Sequence, residues 1–296
     1  MNRIIGTLGL WLIVCNISFA QKNGYFVKGD YGITIGTAQY FGDLNATGAI
    51  NDSKQSLGIF FRKQFNDYIG VRVSGTYAQL TYNSTNNSNP TYQKVQNLSF
   101  YDDVYEFAVQ GDFNFFKFNP LEPYQRFSPY ITLGFGVLNY SPYVILSSQL
   151  QKDWNLPSKK QALRELVTEE DKTYTNMAIS CPLGVGFKYS INKKTGLFAE
   201  AVYRFTNTDY LDDVSKTYIG YDEAIKLKTQ PIPSIAYLLQ DPSTHSSLFG
   251  NPTGTNIPVG YLKGAKRGDP STKDAFIIAQ FGITWNIGTN RCPPIY

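Results

Sequence analysis

Eight segments of this chain alternate between apolar residues and small or polar residues, and this period of two limits the fold more than any other feature of the sequence. Successive side chains of a β-strand point to opposite faces, so each segment predicts a strand with one apolar and one polar face. The fourth segment shows the pattern most clearly, with Tyr105, Phe107, Val109, Phe113 and Phe115 on one face and Glu106, Gln110, Asp112 and Asn114 on the other. A soluble β-sandwich is the alternative, but its core rarely contains so polar a row.

Short and long connections alternate between these segments, which are 31–41, 57–64, 69–77, 105–115, 131–137, 183–189, 199–206 and 277–287. Short connections follow the second, fourth and sixth segments, whereas those after the first, third, fifth and seventh extend to residues 56, 97, 172 and 273. This asymmetry, with an apolar outside and a polar inside, predicts an all-β fold, an eight-stranded antiparallel transmembrane β-barrel with long extracellular loops. The expected location is the outer membrane of a Gram-negative cell, with both termini in the periplasm.

The aromatic content fits a strand-rich membrane protein. The chain contains 22 Tyr and 20 Phe, whereas charged residues make up 17%, below the ~25% typical of soluble domains. Aromatic residues near the strand ends are expected to form girdles at the two lipid interfaces. The candidates are Tyr31, Tyr40, Phe41, Tyr77, Tyr82, Phe100, Tyr101, Phe115, Phe116, Tyr130, Tyr140, Tyr189 and Tyr210.

The first twenty residues have the pattern of a signal peptide. A short basic start precedes an apolar run, and Ser18-Phe19-Ala20 ends it with the small residues that signal peptidase requires. We expect cleavage after Ala20, which leaves residues 21–296 as one outer-membrane barrel domain. A lipid anchor on Cys15 is disfavoured because Val14 occupies the position before it, where a small residue is needed. No later stretch reaches the ~18 consecutive apolar residues of a transmembrane helix.

Cys181 and Cys292 remain after cleavage. Strand parity places Cys181 on the lipid face near a surface end, while Cys292 lies in the periplasmic tail. The two ends of a barrel wall are about 25 Å apart, so we expect two free thiols.

The predicted inward face contains a set of charged residues. An eight-stranded barrel has room inside for side chains and none for a wide channel. Because a buried unpaired charge costs several kcal/mol, these side chains are expected to pair. A structural plug of salt bridges is favoured over a gated ion path. The predicted lumen network is Arg62, Arg72, Glu106, Asp112, Lys188, Glu200 and Arg204.

Two connections, at about 141–172 and 211–273, are expected to be long surface loops. The second, at 211–273, is too long to be a simple linker and is expected to fold over the barrel mouth. A lid that packs on itself is favoured over a partner-binding surface. Each connection has a serine that could cap a short helix, Ser158 for one through Leu163, Leu166 and Val167, and Ser234 for one through Tyr237, Leu238 and Leu239.

The sequence offers no catalytic, cofactor or metal site. His245 is the only histidine, so a His-based triad or zinc site would need partners that are not visible. Asp209, Asp212 and Asp213 could hold Ca²⁺, but they lack the spacing of a calcium loop, so turn chemistry is favoured. The net charge of +4 is too small for a nucleic-acid surface. We therefore expect neither an enzyme nor a nucleic-acid-binding protein.

Three short stretches carry a resemblance to a known family. They are Tyr40-Phe41-Gly42-Asp43-Leu44, Tyr210-Leu211-Asp212-Asp213-Val214-Ser215 and Arg267-Gly268-Asp269-Pro270. In this order and spacing they resemble the PorG-like outer-membrane proteins of Bacteroidetes. The resemblance implies a β-barrel associated with the type IX secretion and gliding machinery, in contact with a periplasmic ring formed by a lipoprotein and its partner. It also implies that Arg267-Gly268-Asp269 matches the cell-adhesion tripeptide only by chance.

Three classes of function remain open. The first is a docking or structural subunit of a secretion complex, with outer-membrane lipids and the periplasmic ring as partners. The second is a stand-alone barrel that acts as a minor pore or stabilises the membrane. The third is a lipid-modifying enzyme, which would need a nucleophile and a base in the surface loops. The sequence shows no such pair.

Overall fold

The structure is a computed structural model, and it describes residues 27–45, 48, 50–83, 98–153, 158–169, 174–219, 239, 263–264 and 266–288. The expected signal peptide, His245, Cys292 and the C-terminal tail lie outside the described residues, as does the helix expected after Ser234 apart from Leu239. Cys181 is a free thiol.

Ten β-strands dominate the described residues, because alternating Val, Ile, Tyr and Phe favour a pleated, half-buried surface. The strands are β1 (Val27–Phe41), β2 (Lys54–Gln64), β3 (Ile69–Asn83), β4 (Ser99–Asn114), β5 (Phe127–Asn139), β6 (Tyr143–Ile145), β7 (Lys160–Ala162), β8 (Met177–Ser190), β9 (Thr195–Thr206) and β10 (Ala275–Gly288). One short helix, α1 (Ser148–Asp153), and 3-10 turns at Asp43–Asn45 and Arg164–Leu166 complete the elements. Among the described residues, no helix is long and apolar enough to cross a membrane.

Eight of these strands close into an antiparallel barrel. The order is β3-β2-β1-β10-β9-β8-β5-β4, and pairing of β3 with β4 closes the wall. Following the register from Lys188 on β8 through β9, β10, β1 and on around the wall returns to β8 at Ala178, ten residues from the start. Such a stagger tilts the strands and sets the barrel's width. The predicted fold class is confirmed.

The two ends of the barrel differ. The connections 65–68, 115–126 and 191–194 join strand ends at one end of the barrel, and 42–53, 84–98, 140–176 and 207–274 join strand ends at the other. We call these the short-turn end and the long-loop end, and 207–274 the fourth long loop.

The wall is apolar outside and polar inside, as its alternation predicts. Ile35 and Phe281 on the outer face are 65% and 70% exposed. Arg62, Arg72 and Asp112 face inward and are almost completely buried. A soluble protein rarely exposes so continuous an apolar band, so the architecture is that of a transmembrane β-barrel.

The hydrophobic core lies at the long-loop end, where the loops pack over the mouth. Leu44, Leu163, Leu211 and Val214 from the loops join inward strand residues such as Leu80 and Ile278 in one buried cluster. The prediction of aromatic girdles is wrong for five residues. They are buried because the alternation along their strands points them into the barrel. These five are Tyr40, Tyr82, Phe100, Tyr130 and Tyr140.

The third long loop contains a β-hairpin that the sequence did not predict. β6 pairs with β7 and also with β4, at Tyr101 and Tyr143, so the hairpin extends the wall beyond the mouth. The helix expected after Ser158 is wrong. Residues 160–162 pair in the hairpin, and a single 3-10 turn follows that ends at Val167 in the left-handed conformation, φ 50°.

Candidate functional site

Asp112 lies at the centre of the lumen network. Its Oδ2 atom is 2.8 Å from Arg62 Nε and 3.3 Å from Lys188 Nζ, and its Oδ1 atom is 3.8 Å from Arg72. These residues lie on β2, β3, β4 and β8, so the alternation of four strands brings them together. One carboxylate therefore contacts three cations in the lumen.

Glu200 holds the other side of Arg72. The Arg72 guanidinium donates to both carboxylate oxygens, at 3.0 and 2.9 Å, and Gln280 Nε2 donates to Oε1 at 2.5 Å. The Tyr130 hydroxyl also donates to Glu200. The Lys188 ammonium lies 4.2 Å from the centroid of the same Tyr130 ring. This cation-π contact further stabilises the buried Lys188 charge.

A second pair lies apart from this group. Arg204 Nε is 2.7 Å from Glu106 Oε2, and the Ser180 hydroxyl donates to Glu106 Oε1 at 2.6 Å. Sequence analysis missed one member of the network, Asp30, whose Oδ2 atom is 3.4 Å from Arg62. Asp30 directly precedes the segment where the alternation was first recognised. With Asp30 included, four carboxylates balance four cations.

The three stretches that carry the family resemblance converge at the long-loop end. Tyr40 of the first stretch is the last inward residue of β1, and Asp212 of the second lies in the fourth long loop. Asp274 follows the third stretch and directly precedes β10. The Tyr40 hydroxyl lies 2.5 Å from Asp212 Oδ2 and 2.9 Å from Asp274 Oδ1. A Cβ on Gly42 would clash with that hydroxyl and with the Asp274 carboxylate, so any larger residue here would displace this hydrogen-bonded pair.

Asp212 and Asp274 share one phenol hydroxyl, which has a single hydrogen to donate. The remaining partners are backbone amides. Val214 N donates to Asp212 Oδ1 and Leu211 N donates to Asp274 Oδ2, both at 2.9 Å, and Leu44 N donates to Asp212 Oδ2 at 3.4 Å. Burial raises the pKa of Asp212 well above its ordinary value, and the nearby Asp43 carboxylate raises it further. Burial also raises the pKa of Asp274, with Asp212 as the next cause. The pair is therefore stable when one carboxyl group is protonated.

Arg267 organises the neighbouring carboxylates. Its guanidinium lies 3.1 Å from Glu169 Oε1 and 3.3 Å from Asp213 Oδ2, and it donates to the Asp213 backbone carbonyl. Glu169 in turn accepts from the backbone amides of Ser215 and Lys216, at 2.9 and 3.0 Å. Glu169 lies in the third long loop, so this ion pair and these two hydrogen bonds join the third long loop to the fourth. Because Arg267 is buried, Arg267-Gly268-Asp269 is not an exposed tripeptide.

The first and fourth long loops are joined at Asp43. Its Oδ2 atom accepts from the Asp269 amide at 2.8 Å. A Cβ on Gly268 would clash with that same carboxylate and would lie 2.8 Å from the Ser215 backbone. Burial raises the pKa of Asp43 to about 6 and that of Asp209, which accepts from the Ser215 hydroxyl at 2.6 Å, to about 7. We name this set the loop cluster: Tyr40, Gly42, Asp43, Glu169, Asp209, Asp212, Asp213, Ser215, Arg267, Gly268 and Asp274.

Sequence analysis did not identify Glu169 or Asp274 as members. Nothing in their local pattern distinguishes them from other loop acids, because their partners are distant in the chain. No group of three His, Cys, Asp or Glu side chains within the described ranges could hold a metal ion. Asp209, Asp212 and Asp213 instead each accept hydrogen bonds from the loops themselves.

The closed wall, apolar belt and filled lumen define a transmembrane β-barrel. The chain belongs to the family described as "Domain of unknown function (DUF6089)", whose sequence model matches residues 8–225. No curated protein matches the chain.

Several solved structures are similar to it. Neisserial surface protein A is 12% identical with a TM-score of 0.40, over 90% of this chain and 100% of that one. Ail of Yersinia pestis, in complex with the heparin analogue sucrose octasulfate, is 12% identical with a TM-score of 0.36, over 88% and 99%. OprG from Pseudomonas aeruginosa is 11% identical with a TM-score of 0.33, over 88% and 97%.

Proposed function

We propose that the protein is a non-enzymatic outer-membrane β-barrel that serves as a docking or structural subunit of the type IX secretion and gliding machinery. In this proposal the signal peptide is removed after Ala20, the short-turn end and both termini face the periplasm, and a periplasmic ring lipoprotein and its partner are the contacts. The three stretches that resemble PorG-like proteins support the assignment. Their convergence in the loop cluster gives those residues a shared structural role.

The filled lumen is the observation that carries a scaffold role. Arg62, Arg72, Asp112, Lys188 and Glu200 cross the interior as one network of ion pairs. Moving any of these side chains aside would leave a partner charge buried, which costs several kcal/mol. A resting ion path is therefore disfavoured, and the function lies at the ends or on the outer wall.

The short-turn end offers an ordered surface for a periplasmic partner. The Phe118 amide donates to Asp67 O at 3.0 Å, which joins two short turns, and the Ser190 amide donates to Arg126 O at 2.8 Å, which joins β8 to the β4–β5 turn. Tyr124 projects from this turn, fully exposed. Aromatic residues on a rigid support are the side chains that most often dominate binding energy at protein interfaces.

Affinity purification from native outer membranes tests the docking role. A tag in the fourth long loop leaves the short turns and the tail unmodified, and mass spectrometry identifies what co-purifies under gentle detergent. We expect the ring lipoprotein and its partner in near-stoichiometric amounts, with severalfold less after Tyr124→Ala. Glu122→Ala in the same turn is the matched control and should retain both. Recovery of the barrel alone at several detergent strengths would overturn the docking role.

Planar-bilayer recordings test the scaffold role separately. A barrel plugged by ion pairs should give no stable conductance at neutral pH. Steady single-channel currents from the wild-type protein, absent from mock preparations, would instead support the stand-alone pore.

A further inference from the structure

A groove of about 1160 Å³ crosses the outer wall of the barrel. Two parallel rows of outward side chains form its sides, and the backbone of the residues between them forms its floor. One row includes Ile59 and Phe107, and the other includes Leu57 and Tyr105. The sides are almost entirely apolar, as expected for a surface that contacts acyl chains.

Gly75 interrupts the first row. It lies between Ile59 of β2 and Phe107 of β4 in the register. A Cβ at this position would meet only Ile59 Cγ1, at 4.0 Å. The side of the groove that this row forms is therefore open at Gly75, where any larger residue would close the gap.

A polar cluster lies at the long-loop side of this opening. Tyr77 and Tyr105 line the groove as a facing pair, with ring centroids 5.3 Å apart. The Tyr77 hydroxyl donates to Asp103 Oδ1 at 2.9 Å, and Gln79 Nε2 donates to the same atom at 3.1 Å. Asp103 Oδ2 accepts from Lys160 Nζ at 3.0 Å. The carboxylate is thus satisfied by three donors of the protein.

Lys160 keeps donor capacity for an external group. Its ammonium lies 3.5 Å from the centroid of the Tyr143 ring, which stacks on Tyr101 with centroids 5.8 Å apart. The Lys160 side chain is 56% exposed. An ammonium has three hydrogens, so a phosphate oxygen can still approach it. The unpredicted β6–β7 hairpin is the element that brings this lysine to the wall.

We propose that the groove and Lys160 together form a binding site for one phosphate-bearing lipid. An acyl chain enters the space between the two rows through the gap at Gly75, and the lipid phosphate accepts from Lys160 beside the Tyr77, Tyr101, Tyr105 and Tyr143 rings. Tyrosines of this kind occur at the headgroup level of a bilayer, and the basic group complements an anionic headgroup. The proposal requires a membrane barrel but not the secretion role, so the two can fail independently.

Native mass spectrometry of the detergent-purified full chain tests this site, with lipid A and phosphatidylglycerol as the two probes. Lys160→Gln should lower retention of a phosphate-bearing lipid about fivefold, because one basic residue contributes about 1 kcal/mol near an anionic surface. Gly75→Leu should lower this retention by a similar factor, because the leucine would close the gap in the first row. Gly111→Leu is the matched control, since Gly111 also faces outward with open space beside it.

The pattern of retention decides between outcomes. If Lys160→Gln and Gly75→Leu retain less lipid A but as much phosphatidylglycerol as the wild type, the outer-leaflet lipid is the ligand. If they retain less of both probes to the same extent, the site binds phosphate-bearing lipids in general. The proposal would be overturned if the wild type and all three variants retained the probes equally. It would also be overturned if Gly111→Leu lost as much lipid as Lys160→Gln and Gly75→Leu. Migration of each variant as a folded barrel on an unheated gel separates lost binding from lost folding.

Discussion

The barrel buries carboxylates in two regions and stabilises them in different ways. In the lumen network, Asp30, Glu106, Asp112 and Glu200 each contact a cation within 3.4 Å. In the loop cluster, Asp212 and Asp274 have a phenol hydroxyl and backbone amides as partners, and no ion pair joins them to a cation in the described part of the chain. The lumen therefore depends on balanced charge, whereas the Asp212–Asp274 pair depends on a retained proton. The same Asp→Asn change should have very different effects in the two regions.

Replacing Asp112 should have the largest effect. Asp112→Asn keeps the shape of the side chain but removes the charge that contacts Arg62, Arg72 and Lys188. Breaking a buried ion pair by removing one partner costs about 3 to 5 kcal/mol. Urea unfolding in phospholipid vesicles, followed by Trp fluorescence, should show this loss of unfolding free energy. An Asp112→Asn loss no larger than that of Asp212→Asn would contradict the distinction between the regions.

Replacing Arg267 tests the one part of the loop cluster that resembles the lumen. Arg267→Gln leaves Glu169 and Asp213 buried without their cation, which should cost about 3 kcal/mol. The loss should be confined to the loops, because the barrel wall does not contain these residues. Hydrogen exchange at the Ser215 and Lys216 amides, which donate to Glu169, should become faster.

The matched control for Arg267 is its exposed neighbour. Lys266 pairs with Asp269 at 3.1 Å, but both side chains are largely exposed. Lys266→Gln should leave the stability almost unchanged, because exposed ion pairs contribute little. Faster exchange in the strands after Arg267→Gln would show that the loops and the wall unfold as one unit.

Gly268→Ala should destabilise the loops by a smaller amount. The new Cβ would lie 2.8 Å from the Ser215 backbone, so a main-chain segment has to move. Overpacking of this kind costs about 1 to 3 kcal/mol. Gly111→Ala on the outer wall is the control, because the nearest atom to its Cβ is 3.8 Å away. Limited proteolysis with the barrel in detergent should cut the loops of Gly268→Ala sooner than those of the control.

The sequence predicted the wall far better than the loop cluster, and the reason is physical. A period of two determines which way a strand residue points, so Arg62, Glu106 and Lys188 could be placed in the lumen without knowing their partners. The same rule explains why the girdle prediction for Tyr40 is wrong, because that prediction used residue type near the strand end and did not use parity. No local periodicity exists in loops, and the contact between Tyr40 and Asp212 spans 172 residues. Such a pairing depends on the closed barrel that brings both segments to one mouth.

The pH response of the loop cluster follows from its raised pKa values. An Asp in an unfolded chain has a pKa near ~3.9, whereas Asp43 and Asp209 are raised by burial to about 6 and about 7, and Asp212 and Asp274 are raised well above the ordinary value. The folded loops therefore bind more protons than the unfolded loops. Their stability is fully present below about pH 4 and is lost as the pH rises through the folded values. Hydrogen-exchange protection of the Leu211 and Val214 amides, corrected for intrinsic rates, should fall between pH 5 and 8.

Asp212→Asn should have the smallest effect on stability and should flatten part of this pH response. An asparagine can accept from the Val214 amide and donate to the Tyr40 oxygen, while the Tyr40 hydroxyl donates to Asp274. Of the hydrogen bonds of a neutral acid it loses only the long one from the Leu44 amide, at 3.4 Å. We expect a change below about 1 kcal/mol, with Leu211 protection less dependent on pH than in the wild type. Asp269→Asn, at an exposed carboxylate, should leave the wild-type slope unchanged. Protection that rises with pH in the wild type would show that the pair is held ionised, as the lumen carboxylates are by their cations, and the two regions would then share one mechanism.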